Sequence, residues 1–162
     1  ALLCKTACFY HDIGKLIKPE YFTENESGIS RHDALTPQMS ALIIISHVKD
    51  GVEMARQWGL PEAVVDIVSQ HHGTTLVSYF LRQAREQAAE PDEVDEELFR
   101  YPGPRPRFKE AAVCMIADSV EAASRSLGEA SPARIRSNRS RFSATGRSRY
   151  GLFLPACVSV PR

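Results

Sequence analysis

The side chains able to do chemistry in this chain are imidazoles and carboxylates, and they recur at helix ends. His11 and Asp12 stand side by side in HDIGK, residues 11–15, where the mostly apolar run ALLCKTACFY ends. His47 follows Leu42, Ile43, Ile44, Ile45 and Ser46, which puts it on or beside the buried face of its helix. His71 and His72 are adjacent at a helix end, just before Gly73, Thr74 and Thr75. Neighbours on a regular helix point about 100° apart, but at a terminus both rings can lean toward one centre. Asp118 lies in AAVCMIADSVEAA, flanked by Val113, Met115, Ile116, Ala117 and Val120 in a helix that reads as a core element. An unpaired carboxylate there would cost several kcal/mol or take up a proton, so it wants a cation.

Taken singly, each residue has a plainer reading. His47 alone reads as a core histidine satisfied by a backbone carbonyl. The His71-His72 pair alone reads equally well as two solvent-facing imidazoles at a helix C-terminus, where the dipole favours them. Asp118 could bond a hydroxyl or Arg125. The His-Asp dipeptide proves little by itself, since His32-Asp33 in GISRHDALTP repeats it. Together, however, His11, Asp12, His47, His71, His72 and Asp118 supply four imidazoles and two carboxylates, each at a helix end or on a mostly apolar helix. That donor set suits iron, manganese or zinc, and the absence of a cysteine cluster argues against a closed structural zinc site. A metal site lined by facing helices of a bundle accounts for all six.

The elements that must carry these residues are helical. Residues 2–12 read as a helix whose apolar face uses Leu2, Leu3, Cys8 and Phe9 and which stops near Gly14. Residues 16–35 form a connector. Thr36 before Pro37 is a helix start, a hydroxyl cap followed by a proline that presets φ. That helix is expected to reach Gly59, with a kink at Gly51. Pro61 opens PEAVVDIVSQHH, which Gly73 ends, and TTLVSYFLRQAREQAAE makes the next helix. The acidic stretch PDEVDEELF and the stiff turn YPGPRP lead into a long helix from about Phe108 to Leu127. With no repeat and no strand alternation, the class is all-α.

The chain has 162 residues, 43% of them hydrophobic, enough for one domain with a real core. Cys4, Cys8, Cys114 and Cys157 form no CxxC pair, which fits a reducing cytosol rather than a disulfide framework. ALIIIS and the other apolar runs fall far short of the roughly 20 residues that cross a bilayer. The first residue is not Met and the opening residues make no signal peptide, so the expectation is a piece of a longer protein. Zero net charge hides an asymmetry: residues 1–130 hold 13 basic and 20 acidic side chains, whereas residues 131–162 hold seven arginines and no acid. Beyond Pro132 the periodicity also ends. A basic arm for nucleic acid or acidic lipid is one reading of the tail, but it contains no lysine, and a disordered or frameshifted end is the preferred one.

The order HD, a distant H, HH and then D resembles the HD-domain superfamily of metal-dependent phosphohydrolases. YHDIGKLIKPEYFTEN, RHDALTPQMSALIIISHVKDGVEMA, QHHGTTLVSYF and FRYPGPRPRFKEAAVCMIADSVEAASRSL look like the cytosolic HD domain of bacterial seven-transmembrane HD phosphodiesterases, which hydrolyse cyclic di-AMP. The resemblance spans about residues 1–128, and it implies an HD domain over 1–130 with the basic tail, 131–162, outside it. It implies an all-α HD-domain bundle holding two divalent transition metals, usually iron or manganese. Asp12 matches the bridging carboxylate, His47, His71 and His72 the other ligands of one metal, and His11 and Asp118 ligands of the second. Two such ions, roughly 3.5–4 Å apart, can polarise a phosphodiester and lower the pKa of a bridging water. Lys15 is placed to meet a phosphate as a point charge, unless it is a surface lysine. Thr74 and Thr75 would contact the nucleotide or else cap the following helix, and His32-Asp33 would shape its loop.

The implied activity is opening of cyclic di-AMP to linear pApA, in a cytoplasmic domain of a membrane-embedded parent, with no nucleic-acid partner. In the family a further histidine upstream of HD completes the second metal's shell. Residues 1–10 contain none, so the expectation is a weakly held second ion and slow turnover. The rival functions are a module that senses a cyclic nucleotide without cleaving it, and an HD hydrolase of cyclic di-GMP or another nucleotide. HHGTT followed by the YPGP turn fits the cyclic di-AMP family better.

Overall fold

The computed structural model describes residues 2–22 and 30–125. Five α-helices carry the described chain: α1 Leu2–Tyr10, α2 Pro37–Gln57, α3 Glu62–Gln70, α4 Ser78–Gln87 and α5 Lys109–Arg125. Short 3-10 turns fill the connections, among them Ile13–Ile17, directly after His11 and Asp12, and Glu96–Phe99. The chain divides into units Ala1–Ser119 and Val120–Arg162. The end of the long helix beyond Arg125, the Arg125 side chain, Cys157 and the whole expected tail, 131–162, lie outside the described residues. Among the described residues no helix is long and apolar enough to cross a membrane.

The start of α2 follows from its sequence. The Thr36 hydroxyl accepts from the Met39 amide at 3.3 Å, and Pro37 takes a first-turn position where no amide is needed. Thr36→Ala is expected to lower stability by about 1 kcal/mol and Thr36→Ser to leave it nearly unchanged, as read from urea unfolding midpoints. The helix is unbroken through Gly51. The glycine is there for approach rather than for a kink: a Cβ on Gly51 would lie 3.1 Å from Val68 Cγ1 and 3.2 Å from the Gly14 nitrogen. At Gly14 the approach is closer still. A Cβ there would overlap the His47 carbonyl oxygen and sit 2.5 Å from the Gly51 nitrogen. The glycine of HDIGK therefore lets the turn after Asp12 lie directly on the α2 backbone beside His47.

Two apolar clusters hold the helices. Ala41, Phe80, Leu81, Ala84 and Phe99 pack α2, α4 and the 96–99 turn together. Ala7, Ile67, Ala111 and Cys114 join α1, α3 and α5. Gln70, fully buried at the end of α3, accepts the Arg107 amide on Oε1 at 2.8 Å and so ties the stiff segment before α5 to α3.

Three expectations are corrected. The buried face of α1 is built on Ala7, with Leu3 and Cys4 partly covered, while Leu2 and Phe9 are 78% and 76% exposed. Apolar residues occur all round this helix, and only the positions of α3 and α5 choose between its faces. The helix expected from Thr74 begins at Ser78. Residues 75–77 stay out of the helix because Val77 N–H donates to Phe99 O at 2.8 Å and Tyr101 N–H to Thr75 O at 2.9 Å, around an isolated antiparallel bridge between Leu76 and Arg100. Finally, α5 is less a core element than its apolar residues imply. Ala111, Cys114 and Met115 are buried, whereas Val113 and Ile116 are exposed.

Candidate metal centre

Asp12 is the hub of the site. It follows α1 on a turn that Gly14 presses against α2, which brings its carboxylate to the imidazoles of two other helices. Its Oδ1 lies 3.3 Å from His47 Nε2 and 3.6 Å from His71 Nε2. Its Oδ2 lies 3.3 Å from His11 Nε2 and 2.8 Å from Lys15 Nζ. Asp118, from α5, reaches His11 Nε2 at 3.6 Å through Oδ1 and His72 Nδ1 at 3.5 Å through Oδ2. The six residues singled out from sequence fall into two overlapping groups: Asp12, His47, His71 and His72, and His11, Asp12 and Asp118. Within each, one donor atom per residue lies within 4.8 Å of all the others. Asp118 is only 16% exposed, but what surrounds its carboxylate is imidazole rather than the aliphatic neighbours that its sequence context implied.

The backbone decides which imidazole nitrogens face the centre. His11 Nδ1 bonds the Cys8 carbonyl at 3.0 Å, His47 Nδ1 the Ile44 carbonyl at 2.6 Å, and His71 Nδ1 the Val68 carbonyl at 2.7 Å. In all three the partner is three residues earlier. A carbonyl can only accept, so Nδ1 carries the proton and a neutral ring turns its Nε2 lone pair inward. His47 Nε2 and His71 Nε2 then meet lone pair to lone pair at 3.2 Å, beside Asp12 Oδ1, which is buried and without a hydrogen-bond partner. Three inward-facing acceptors around one point are costly unless a cation sits among them. The donor set, neutral imidazole with carboxylate, suits a divalent metal ion.

The electrostatics separate His11, which the two carboxylates keep protonated while no cation is bound, from His71 and His72. Burial alone would raise the Asp12 carboxyl, but the adjoining imidazoles of His11, His47 and His71 hold it well below the usual carboxylate range. Burial works to lower His11 as well, yet Asp118 and Asp12 outweigh it and raise that imidazole to about 10. Burial lowers His71, with Asp12 in partial opposition, and burial with the neighbouring His71 and His47 lowers His72 further. His71 and His72 are therefore neutral, and available as ligands, at physiological pH.

Lys15 is no free surface lysine, since it is held by Asp12 and lies 5.2 Å from the centre of the Phe22 ring. Thr74 Oγ1 accepts from Arg105 Nε at 3.1 Å, and Thr75 Oγ1 donates to the His72 carbonyl at 2.8 Å. Neither caps the next helix, which starts only at Ser78. His32 stays outside both groups and bonds the Tyr21 carbonyl at 2.9 Å, shaping its loop. Two participants escaped the sequence reading. Tyr101, read only as part of a turn, stacks on His72 with ring centres 4.2 Å apart and planes 24° from parallel. Phe22 lies edge-on to His47 at 5.7 Å. An aromatic residue opening a proline-rich turn was the signal available for the first; nothing in the sequence marked the second.

A helical bundle whose core turns imidazoles from several elements onto a single aspartate defines an HD domain. The HD domain family model matches residues 1–123, and the chain belongs to that family. Its relatives include two proteins named cyclic-di-AMP phosphodiesterase PgpH. That of Bacillus subtilis is 50% identical over 135 residues, 83% of this chain and 19% of the relative. That of Listeria monocytogenes is 49% identical over 136 residues, 83% of this chain and 18% of the relative. The chain thus spans under a fifth of the length of these curated relatives. The crystal structure of the L. monocytogenes PgpH HD domain in complex with cyclic-di-AMP superposes with a TM-score of 0.78 at 46% identity, covering 88% of this chain and 67% of that one.

Proposed function

We propose that this domain is a metal-dependent phosphodiesterase that hydrolyses cyclic di-AMP to linear pApA, adding the elements of water across one P–O bond. The observation that carries the reading is the shared Asp12 carboxylate, with imidazole donors on one oxygen and His11 and Lys15 on the other. The names of the relatives supply the substrate. Asp12, His47, His71 and His72 would hold one divalent transition metal, and His11, Asp12 and Asp118 a second, iron or manganese being the choice for both. When bound, such ions supply Lewis-acid polarisation of a phosphoryl oxygen and acidify water. The chain's own residues do the rest. The i−3 carbonyls orient the rings of His11, His47 and His71 in advance of metal binding. Lys15 offers an ammonium to a phosphate oxygen from its position beside Asp12. Thr74 and Thr75 offer hydroxyls to the nucleotide from the loop that follows His72. This reading carries with it a cytoplasmic location and a membrane-embedded parent, in keeping with the small share of the relatives that the chain spans.

The test is incubation of the domain with cyclic di-AMP or cyclic di-GMP in Mn²⁺ or Fe²⁺, with products resolved by chromatography. Conversion of cyclic di-AMP to pApA is expected, and a preference for cyclic di-GMP would overturn the substrate. Binding of cyclic di-AMP without cleavage in the metal-loaded domain would favour the sensing module instead. Metal uptake should occur in two steps. The group with four donors fills first, and the group with three, one of them shared, fills at a concentration at least about tenfold higher, since each lost ligand weakens a site. Calorimetric titration with Mn²⁺ giving two equally tight sites would contradict this.

A further inference from the structure

We propose that Cys8 and Cys114 form an oxidisable dithiol, a modification site that takes a low-molecular-weight disulfide as its reactant and closes into a bond between α1 and α5. The two sulfur atoms lie 3.7 Å apart although the residues are 106 positions apart in sequence. A disulfide needs about 2.05 Å between sulfurs, so the pair must draw together by about 1.7 Å to close. The thiols differ in access: Cys8 is exposed, whereas Cys114 is 3% exposed. Cys8 is therefore the one that meets a reactant from solvent. Cys4, the third thiol nearby, meets Cys114 through its side chain and through its carbonyl, 4.0 Å from Cys114 Sγ, but is less exposed than Cys8.

The chemistry is thiol–disulfide exchange and needs no other oxidant. The Cys8 thiolate attacks one sulfur of the small disulfide RSSR, forming a mixed disulfide and releasing RS⁻. Cys114 then gives up its proton and attacks the Cys8 sulfur, expelling the second RS⁻. Two protein thiols are oxidised by two electrons, RSSR is reduced to two RSH, and the two protein protons end on the departing thiols. In a reducing compartment the pair rests as thiols, so the bond reports a rise in the disulfide pool.

Its place gives the bond a consequence. The Cys8 carbonyl holds His11 Nδ1, and Asp118 lies one turn beyond Cys114 on α5. The crosslink would thus sit one helical turn behind the contact between His11 and Asp118. It would also close a long loop in the unfolded chain, which favours the folded state.

The test uses the full chain carrying Cys157→Ser, treated with oxidised glutathione, then digested without reductant and analysed by mass spectrometry. A peptide linking Cys8 to Cys114, with the loss of two hydrogens from the intact protein, is expected. The oxidised form should melt at a higher temperature, and dithiothreitol should reverse the shift. Cys4→Ser should leave the bond intact, and Cys114→Ser should stop at a glutathione adduct on Cys8. A link from Cys4 to Cys114, a lasting adduct on Cys8 with Cys114 present, or no reaction at Cys8 would each overturn the proposal. Peptide mapping of the Cys157→Ser chain decides the matter even where a further variant folds poorly.

Discussion

Asp12→Ala is expected to lower kcat/KM for cyclic di-AMP by at least about 10³-fold, equivalent to roughly 4 kcal/mol of transition-state stabilisation. No other side chain is common to both donor groups. Losing it takes one of four donors from the first group, one of three from the second, and, among the described residues, the carboxylate that faces His47 and His71. Manganese favours carboxylate over imidazole, so a site of neutral imidazoles alone holds it less well. Asp12→Asn should be nearly as severe, because it keeps the shape and removes the charge. The matched measurement is a Mn²⁺ titration, in which the Asp12→Ala protein should show no tight site while its far-ultraviolet circular dichroism keeps the helical signature. Hydrolysis within tenfold of the unsubstituted domain would sink the proposed mechanism.

Gly14→Ala should be the most damaging single methyl group in the described chain, costing about 4 kcal/mol or more and lowering Tm by at least roughly 10 °C. The added carbon would overlap the His47 carbonyl oxygen and stand 2.5 Å from the Gly51 nitrogen, both fixed parts of the α2 backbone that cannot rotate away. The turn would have to lift off α2, carrying Asp12 away from His47. Gly51→Ala should cost less, since its nearest atom is the Val68 Cγ1 methyl at 3.1 Å, which can give slightly. Gly59 is the control. Its φ of 68° penalises alanine by about 1–2 kcal/mol, but nothing lies within 4 Å of an added Cβ. Calorimetric melting of the three variants should rank Gly14 worst and Gly59 mildest. A Gly14→Ala protein that melts with the parent would disprove the close backbone contact on which the site's geometry rests.

What the sequence determined by itself was the helical class, the helix starts and stops marked by Thr36-Pro37, Pro61 and Gly73, and the six residues that converge. These were legible because caps, prolines and glycines act within one turn of chain, and because imidazoles and carboxylates on apolar helices are too costly to be incidental. Tertiary structure alone decided the rest. It chose Ala7 over Leu2 and Phe9 as the buried side of α1, because several faces of that helix were apolar and only its neighbours could select one. It kept residues 75–77 out of the helix, since their backbone groups are committed to Phe99 and Tyr101. It set Tyr101 against His72 and turned the Nε2 of His11, His47 and His71 inward through a carbonyl three residues back. A sequence carries the price of burying a polar group, but which atoms meet around it depends on contacts between segments far apart along the chain, and those exist only once the chain has packed.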